Sequence, residues 1–345
     1  MRAHQIVASQ QPAELREVPR PEPGPGQVLV RVGGAGLCHS DLHMMHWPMS
    51  APGPFTLGHE TAGWIDELGA GVSGFDVDEP VIVHGPWGCG YCRRCQADME
   101  QYCENAAALG IRSEGLGADG GMADYVLVPA ARHLVPIGDL DPAAVAPLDD
   151  AVLTPYHALK RVQHLCTPDE WAMVIGVGGL GHSAVQLIKE LTGARLLAVD
   201  VNDAKLEHAT ALGADATLRG DSPDAAAVVK EITSGRGVAA VLDCFGSDAT
   251  IQLAAQSAHP VSHIVVVGIA GGTLPFSFLS VPFETAVSTT YWGSVTELRE
   301  VVALAQAGRI SLDVEQIPLE GAAEAYERLE RGEVKGRVVA VPNKS

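Results

Sequence analysis

Positive charge is scarce in this 345-residue chain: lysine and arginine number 23 against 42 aspartates and glutamates, a net charge of -19. A surface so acidic repels phosphate backbones and anionic lipid, which argues against nucleic acid and membrane partners. Long hydrophobic runs are also missing. No stretch reaches the roughly 18 apolar residues of a membrane span, and the opening "MRAHQIVASQ" lacks the apolar core of a secretory leader. The expected location is therefore the cytoplasm. Tandem repeats and low-complexity linkers are absent as well. What is present, 47% hydrophobic residues and 38 glycines, is enough for substantial cores, and the length favours two domains.

Cysteines are few, seven in all, yet four fall in "HGPWGCGYCRRCQADMEQYC", at Cys89, Cys92, Cys95 and Cys103. A reducing compartment disfavours disulfides, so the C-x2-C-x2-C-x7-C spacing reads as a metal loop. Four thiolates close a tetrahedral zinc shell without water, the mark of a structural site. An iron–sulfur cluster uses the same donors and is the alternative. Cys166 and Cys244 read as small buried hydrophobes. Further on, "WAMVIGVGGLGHSAVQLIKELTGARLLAVD" gives an apolar strand, a glycine turn, an amphipathic helix and a second strand ending in Asp200. Gly176 allows the tight turn, Gly178 and its neighbour Gly179 let backbone approach a pyrophosphate, and Gly181 lets helix and strand pack closely. Asp200 accepts hydrogen bonds from a ribose diol and repels a 2′-phosphate, which favours NAD over NADP. The alternation continues through "AKLEHATALGA", "DATL", "AAAVVKEIT", "VAAVLDCFG" and "HIVVVGIA", predicting an α/β fold with a doubly wound parallel sheet.

The first 140 residues are different: glycine and proline separate short β-rich runs such as "QVLVRV", "AGWIDELG", "EPVIVHG" and "DYVLVPA", predicting a mostly antiparallel domain. The continuous "LDDAVLTPYHALKRV" places the boundary near residue 152. Within this first domain, Cys38 in "AGLCHSDLHMMHWP" and His59 in "TLGHETAG" offer a thiolate and an imidazole, and the Asp149–Asp150 pair offers a carboxylate. Three ligands would leave one metal position open, the pattern of a catalytic ion.

The motifs "GLCHSDLH", "GHETAG", the four-cysteine loop, "VIGVGGLGH" and "KGRVVAVP" occur in order along the whole chain, which resembles the zinc-dependent alcohol dehydrogenases of the medium-chain dehydrogenase/reductase superfamily. The resemblance implies a GroES-like catalytic domain over 1–152, a Rossmann NAD-binding domain over 153–287, and a segment 288–345 that returns to the catalytic domain. It implies two zinc ions per chain and a reversible hydride transfer between NAD and a primary or secondary, including aromatic, alcohol. Asp150 aligns where the family commonly has cysteine; some similar bacterial enzymes acting on secondary alcohols and aryl ketones or aldehydes also carry aspartate there. A harder ligand makes zinc a somewhat stronger Lewis acid. Ser40 and His43 match the family's proton relay, Asp41 would orient His59, and Glu60 stands behind the ligands. Lys205 matches a contact near the adenosine ribose and Arg337 a pyrophosphate contact, while Trp47 and Trp292 would line an apolar pocket. Family members are dimers or tetramers. The alternatives are a polyol dehydrogenase of the same superfamily and a zinc-stabilised binding protein without turnover.

Overall fold

The computed structural model describes residues 1–8, 10–46 and 53–343, in two compact units. One comprises Met1–Asp150 with Gly293–Ser345, and the other Ala151–Trp292. The boundaries thus fall at 150/151 and 292/293, against the expected 152/153 and 287/288. No helix among the described residues is long and apolar enough to cross a membrane.

The first unit is built on a mixed sheet in which the strands Leu134–Pro136, Pro80–Val83, Glu60–Leu68, Val28–Gly36, Arg337–Val341 and Val314–Pro318 lie side by side. Tyr125–Val128 also pairs with Val28–Gly36. All these pairings are antiparallel except that between the last two strands, and Val339 and Ala340 pair with Gly36 and Ala35, so the chain's end is tied to its first long strand. The Val28–Gly36 strand runs beyond "QVLVRV" through "GGAG". Its last glycine is required by packing: a Cβ on Gly36 would lie 1.9 Å from Glu60 Oε2, so only glycine lets that carboxylate sit against the strand. Val30, Val32, Ile65, Val81, Val126 and Val338 share one core with Tyr326 and Leu329 of the helix Ala322–Glu330.

The second unit has six parallel strands, ordered Ala216–Arg219, Arg195–Asp200, Trp171–Ile175, Val238–Asp243, Ala258–Val266 and Ala286–Thr289. Counted along the chain this is 3-2-1-4-5-6, the doubly wound order of dinucleotide-binding folds. The predicted strand "HIVVVGIA" starts earlier, at Ala258, and ends at Val266. Pro260 has no N–H for the ladder and Val261 sits at φ 66°; the pairing slips there from Val238–Ala258 to Ala240–His263.

One core residue of the first unit is out of character. Glu114, at the end of the short strand Ser113–Glu114, is fully buried. Burial pushes its pKa from 4.5 to about 8, opposed by the Thr61 hydroxyl and the positive potential of His59. The folded chain therefore holds a proton that the unfolded chain releases near pH 4.5. This group's contribution is fully present below that pH and is lost as pH rises toward 8, at up to about 1.4 kcal/mol per pH unit. The Glu114→Gln variant should gain stability over the unaltered protein between pH 5 and 8, and the gain should level off above pH 8. Urea midpoints of both proteins across that range check this; a difference independent of pH would show that Glu114 titrates normally.

Candidate metal centres and cofactor turn

The four loop cysteines are free thiols, and their sulfurs all lie within 4.8 Å of one another. Backbone amides serve them in turn: Cys89 N–H donates to Cys103 Sγ at 3.3 Å, Cys92 N–H to Cys89 Sγ at 3.3 Å and Cys95 N–H to Cys92 Sγ at 3.5 Å. The Asn105 amide also donates to Cys89 Sγ, at 3.4 Å. Desolvation acts upward on Cys89, but the Tyr91 and Cys92 amides and Asn105 outweigh it and bring its pKa to about 6. Cys95 is pushed up to about 12, by burial first and then by the neighbouring sulfurs. The arrangement favours thiolates yet crowds them, and a divalent soft-ligand cation such as zinc relieves that conflict. Arg132 secures the loop, donating to Glu100 Oε1 at 2.8 Å and to the Gly88 carbonyl at 2.7 Å.

A second cluster joins donors far apart in sequence. Cys38 Sγ lies 3.4 Å from Asp150 Oδ2, His59 Nε2 lies 3.7 Å from the same oxygen, and the three donor atoms sit within 4.8 Å of one another. Among the described residues this is the other group able to hold a metal. Cys38 ends the strand connection and the helix His39–His46 starts directly after it, so Asp41 in the first turn can accept the Cys38 amide at 3.0 Å. The other Asp41 oxygen lies 3.1 Å from His59 Nδ1, which fixes the proton there and leaves Nε2 as a lone-pair donor toward Cys38 and Asp150. Tyr326 donates its hydroxyl to Asp41 at 3.0 Å. Burial lowers the His59 pKa, but the charge of Asp41, then hydrogen bonds to Asp150, Asp41 and Cys38, raise it well above normal.

The two adjacent aspartates diverge. Asp149, fully buried in the turn Ala146–Asp149, accepts the Gly85 amide at 3.0 Å, whereas Asp150 faces the cluster. Glu60 stands behind, and Arg337 bridges it to Asp150, at 2.9 Å from Glu60 Oε1 and 3.2 Å from Asp150 Oδ2. Burial raises the Glu60 pKa well above normal; Arg337 opposes that, while Asp150 and Cys38 add to it. A divalent cation bound by Cys38 as a thiolate and Asp150 as a carboxylate would be matched in charge, with Glu60 paired to Arg337. Ser40 Oγ lies 3.7 Å from Cys38 Sγ, and half-buried His43 follows on the same helix, its pKa lowered by burial and then by His46. Arg337, expected at a pyrophosphate, has its guanidinium on Glu60, Asp150 and the Leu37 carbonyl. Trp47 lies outside the described residues, and Trp292 is buried in the second unit, edge-on to Tyr291 with ring centroids 5.8 Å apart.

In the second unit the glycine turn joins the strand Trp171–Ile175 to the helix Gly181–Leu191. Gly176 has φ 84°, and a Cβ on Gly181 would meet the Gly176 carbonyl at 1.8 Å, so both positions exclude side chains. A Cβ on Gly178 would meet nothing within 4 Å, which leaves that backbone accessible to a ligand, with Gly179 next to it. The buried Asp200 accepts Val177 N–H at 2.7 Å and Asn202 N–H at 3.0 Å, so it braces the turn while standing at the end of its strand. Lys205 follows in the first turn of the helix Asp203–Ala211, partly exposed. Tyr326 is the member of the first-unit cluster that the sequence does not announce, since a lone tyrosine in an amphipathic helix reads as core.

Comparison with known proteins agrees with both halves. Residues 24–139 match the alcohol dehydrogenase GroES-like domain and residues 179–307 the zinc-binding dehydrogenase domain. The NAD-dependent alcohol dehydrogenase of Sulfurisphaera tokodaii is 34% identical over 99% of this chain and 100% of its own, and that of Sulfolobus acidocaldarius 36% identical over 95% and 96%. Among solved structures, the alcohol dehydrogenase of Aeropyrum pernix superposes with a TM-score of 0.92 at 35% identity, covering 99% of this chain and 100% of that one. The acetophenone reductase of Geotrichum candidum, solved with NAD, gives 0.87 at 29% identity, covering 99% and 96%. Matched along nearly its whole length in sequence and in fold, this chain belongs to the zinc-dependent alcohol dehydrogenases of the medium-chain dehydrogenase/reductase superfamily.

Proposed function

We propose that the chain is an NAD-dependent alcohol dehydrogenase holding two zinc ions, one among Cys89, Cys92, Cys95 and Cys103 and one on Cys38, His59 and Asp150. The observation that carries this reading is the second cluster: three donors leave a tetrahedral ion one position for substrate, which a purely structural site does not need. Zinc supplies the Lewis acidity that acidifies an alcohol, and NAD supplies the hydride acceptor. The protein's own residues do the rest. Asp41 keeps the His59 ring in one tautomer, Arg337 offsets the charge of Glu60 and Asp150, and Asp200 receives the adenosine ribose, with Lys205 close by. Ser40 takes the alcohol proton and His43 passes it toward solvent.

The substrates are small alcohols and the corresponding aldehydes or ketones. Likeness to an acetophenone reductase supports aromatic ketones and secondary alcohols. A sugar or polyol substrate is the second reading, because a D-arabinose 1-dehydrogenase of Saccharolobus solfataricus is 30% identical over 96% of this chain. That relative is named for NADP, whereas Asp200 here disfavours a 2′-phosphate. Self-association is part of the proposal: the strand Ala286–Thr289 ends its sheet, and Phe276, Phe278, Leu279 and Phe283 just before it are 74, 82, 78 and 60% exposed, a patch suited to a second copy.

Elemental analysis of dialysed, active protein should find two zinc ions per chain. Asp150→Ala should retain about one and lose activity, while Asp149→Ala should retain both; the reverse pattern would assign the ligand to Asp149. In alcohol oxidation Ser40→Ala should lower kcat by roughly 10²- to 10⁴-fold. His43→Gln should cost less, and its deficit should shrink as pH rises and hydroxide takes over the outer step. Near-normal turnover in Ser40→Ala would exclude the relay, as a pH-independent deficit would exclude His43 from it. Sedimentation equilibrium should give at least twice the mass of one chain, and replacing Phe278 and Leu279 with serine should lower it; a monomeric unaltered protein would rule out self-association.

A further inference from the structure

The strands Arg195–Asp200 and Ala216–Arg219 run parallel and end level, with Asp200 and Arg219 as paired residues. Both stand at the carboxyl edge of the sheet, where doubly wound folds take nucleotides. Asp200 is buried and committed to two backbone amides. Arg219 is exposed, and its guanidinium is held on two sides. Nη1 donates to Asp203 Oδ1 at 2.7 Å, and Nε and Nη2 donate to the two oxygens of Asp221 at 3.1 and 2.8 Å. The second pairing is the bidentate geometry in which arginine binds planar anions best.

An arginine at this edge is also the side chain that accommodates the 2′-phosphate in NADP-binding members of such folds. Here the fork is present but spent on carboxylates. Asp200, Asp203 and Asp221 outnumber Arg219 and Lys205, so a phosphate approaching the ribose 2′ position meets net negative charge. Freeing the fork means breaking two ion pairs, one of them bidentate.

We propose that Asp203 and Asp221 are specificity-determining residues that withhold the Arg219 fork from a 2′-phosphate, so that NADP is refused by this clamp as well as by Asp200. The proposal rests on the reading of the second unit as NAD-binding. It implies that replacing Asp200 alone weakens the ribose contact without producing an NADP enzyme, because Arg219 stays engaged.

The test is calorimetric and independent of turnover. ADP-ribose and 2′-phospho-ADP-ribose are titrated at fixed ionic strength into the full-length protein, its Asp203→Asn/Asp221→Asn variant, and the same variant with Arg219→Gln added. The affinity ratio of the phosphorylated to the plain probe should rise about 3- to 10-fold in the double variant, a modest gain because the pairs are solvent-exposed. Adding Arg219→Gln should return the ratio to its original value or below. An unchanged ratio in the double variant would overturn the proposal. So would a gain that survives loss of Arg219, since removal of negative charge alone would then explain it. Failure of the unaltered protein to bind ADP-ribose would instead defeat the NAD reading, and this assignment with it.

Discussion

The carboxylate of Asp41, fully buried, is where the catalytic unit is held together. It accepts the Cys38 amide, faces the inner nitrogen of His59 and receives the Tyr326 hydroxyl, so three stretches of chain converge on one side chain. Two of the three proposed metal donors, Cys38 and His59, are held by it. A buried carboxylate deprived of one such partner typically costs about 1–3 kcal/mol, so the constellation holds only when all its parts are present. Tyr326 comes from the helix Ala322–Glu330, which packs in the same core as the central strands. The C-terminal segment is thereby part of the site and not merely its cover.

Charge balance is the second constraint. Cys38, Asp150 and Glu60 put three potential anions in a region from which water is largely excluded, with Arg337 as their built-in counter-charge. A buried cation in such company stays charged: burial alone would lower the Arg337 pKa, but Glu60, Cys38 and Asp150 carry it above its usual value. Gly36 belongs to the same arrangement, since any larger residue would displace Glu60 and with it the arginine. The strand Arg337–Val341 delivers that guanidinium because it pairs with Val28–Gly36, the strand that leads to Cys38. Sheet register and electrostatics are thus one requirement here.

Much of this was legible in the sequence wherever the determinants are local. The four cysteines fall within fifteen residues, 89 to 103, and the glycine turn, its strand and its helix form one continuous stretch, so spacing alone conveyed the chemistry. The long-range parts were less legible. Tyr326 and Asp41 are 285 residues apart, and nothing local distinguishes that tyrosine from core filler. Only the family resemblance distinguishes adjacent Asp149 and Asp150 in sequence; in the fold the turn Ala146–Asp149 buries one against the Gly85 amide and presents the other to Cys38. The strand's extension through "GGAG" has a tertiary cause: Gly33 makes room for Trp64 and Pro142, Gly34 for the Ala143 backbone, and Gly36 for Glu60.

The central claim is that Asp150, with Cys38 and His59, completes a zinc site distinct from the cysteine loop. A crystal structure of the zinc-loaded protein, with anomalous differences measured on both sides of the zinc absorption edge, tests it most directly. Two zinc peaks per chain are expected, one among Cys89, Cys92, Cys95 and Cys103 and one bonded to Cys38, His59 and Asp150. A single peak in the cysteine loop, or a second ion bonded to Asp149 instead of Asp150, would contradict the account.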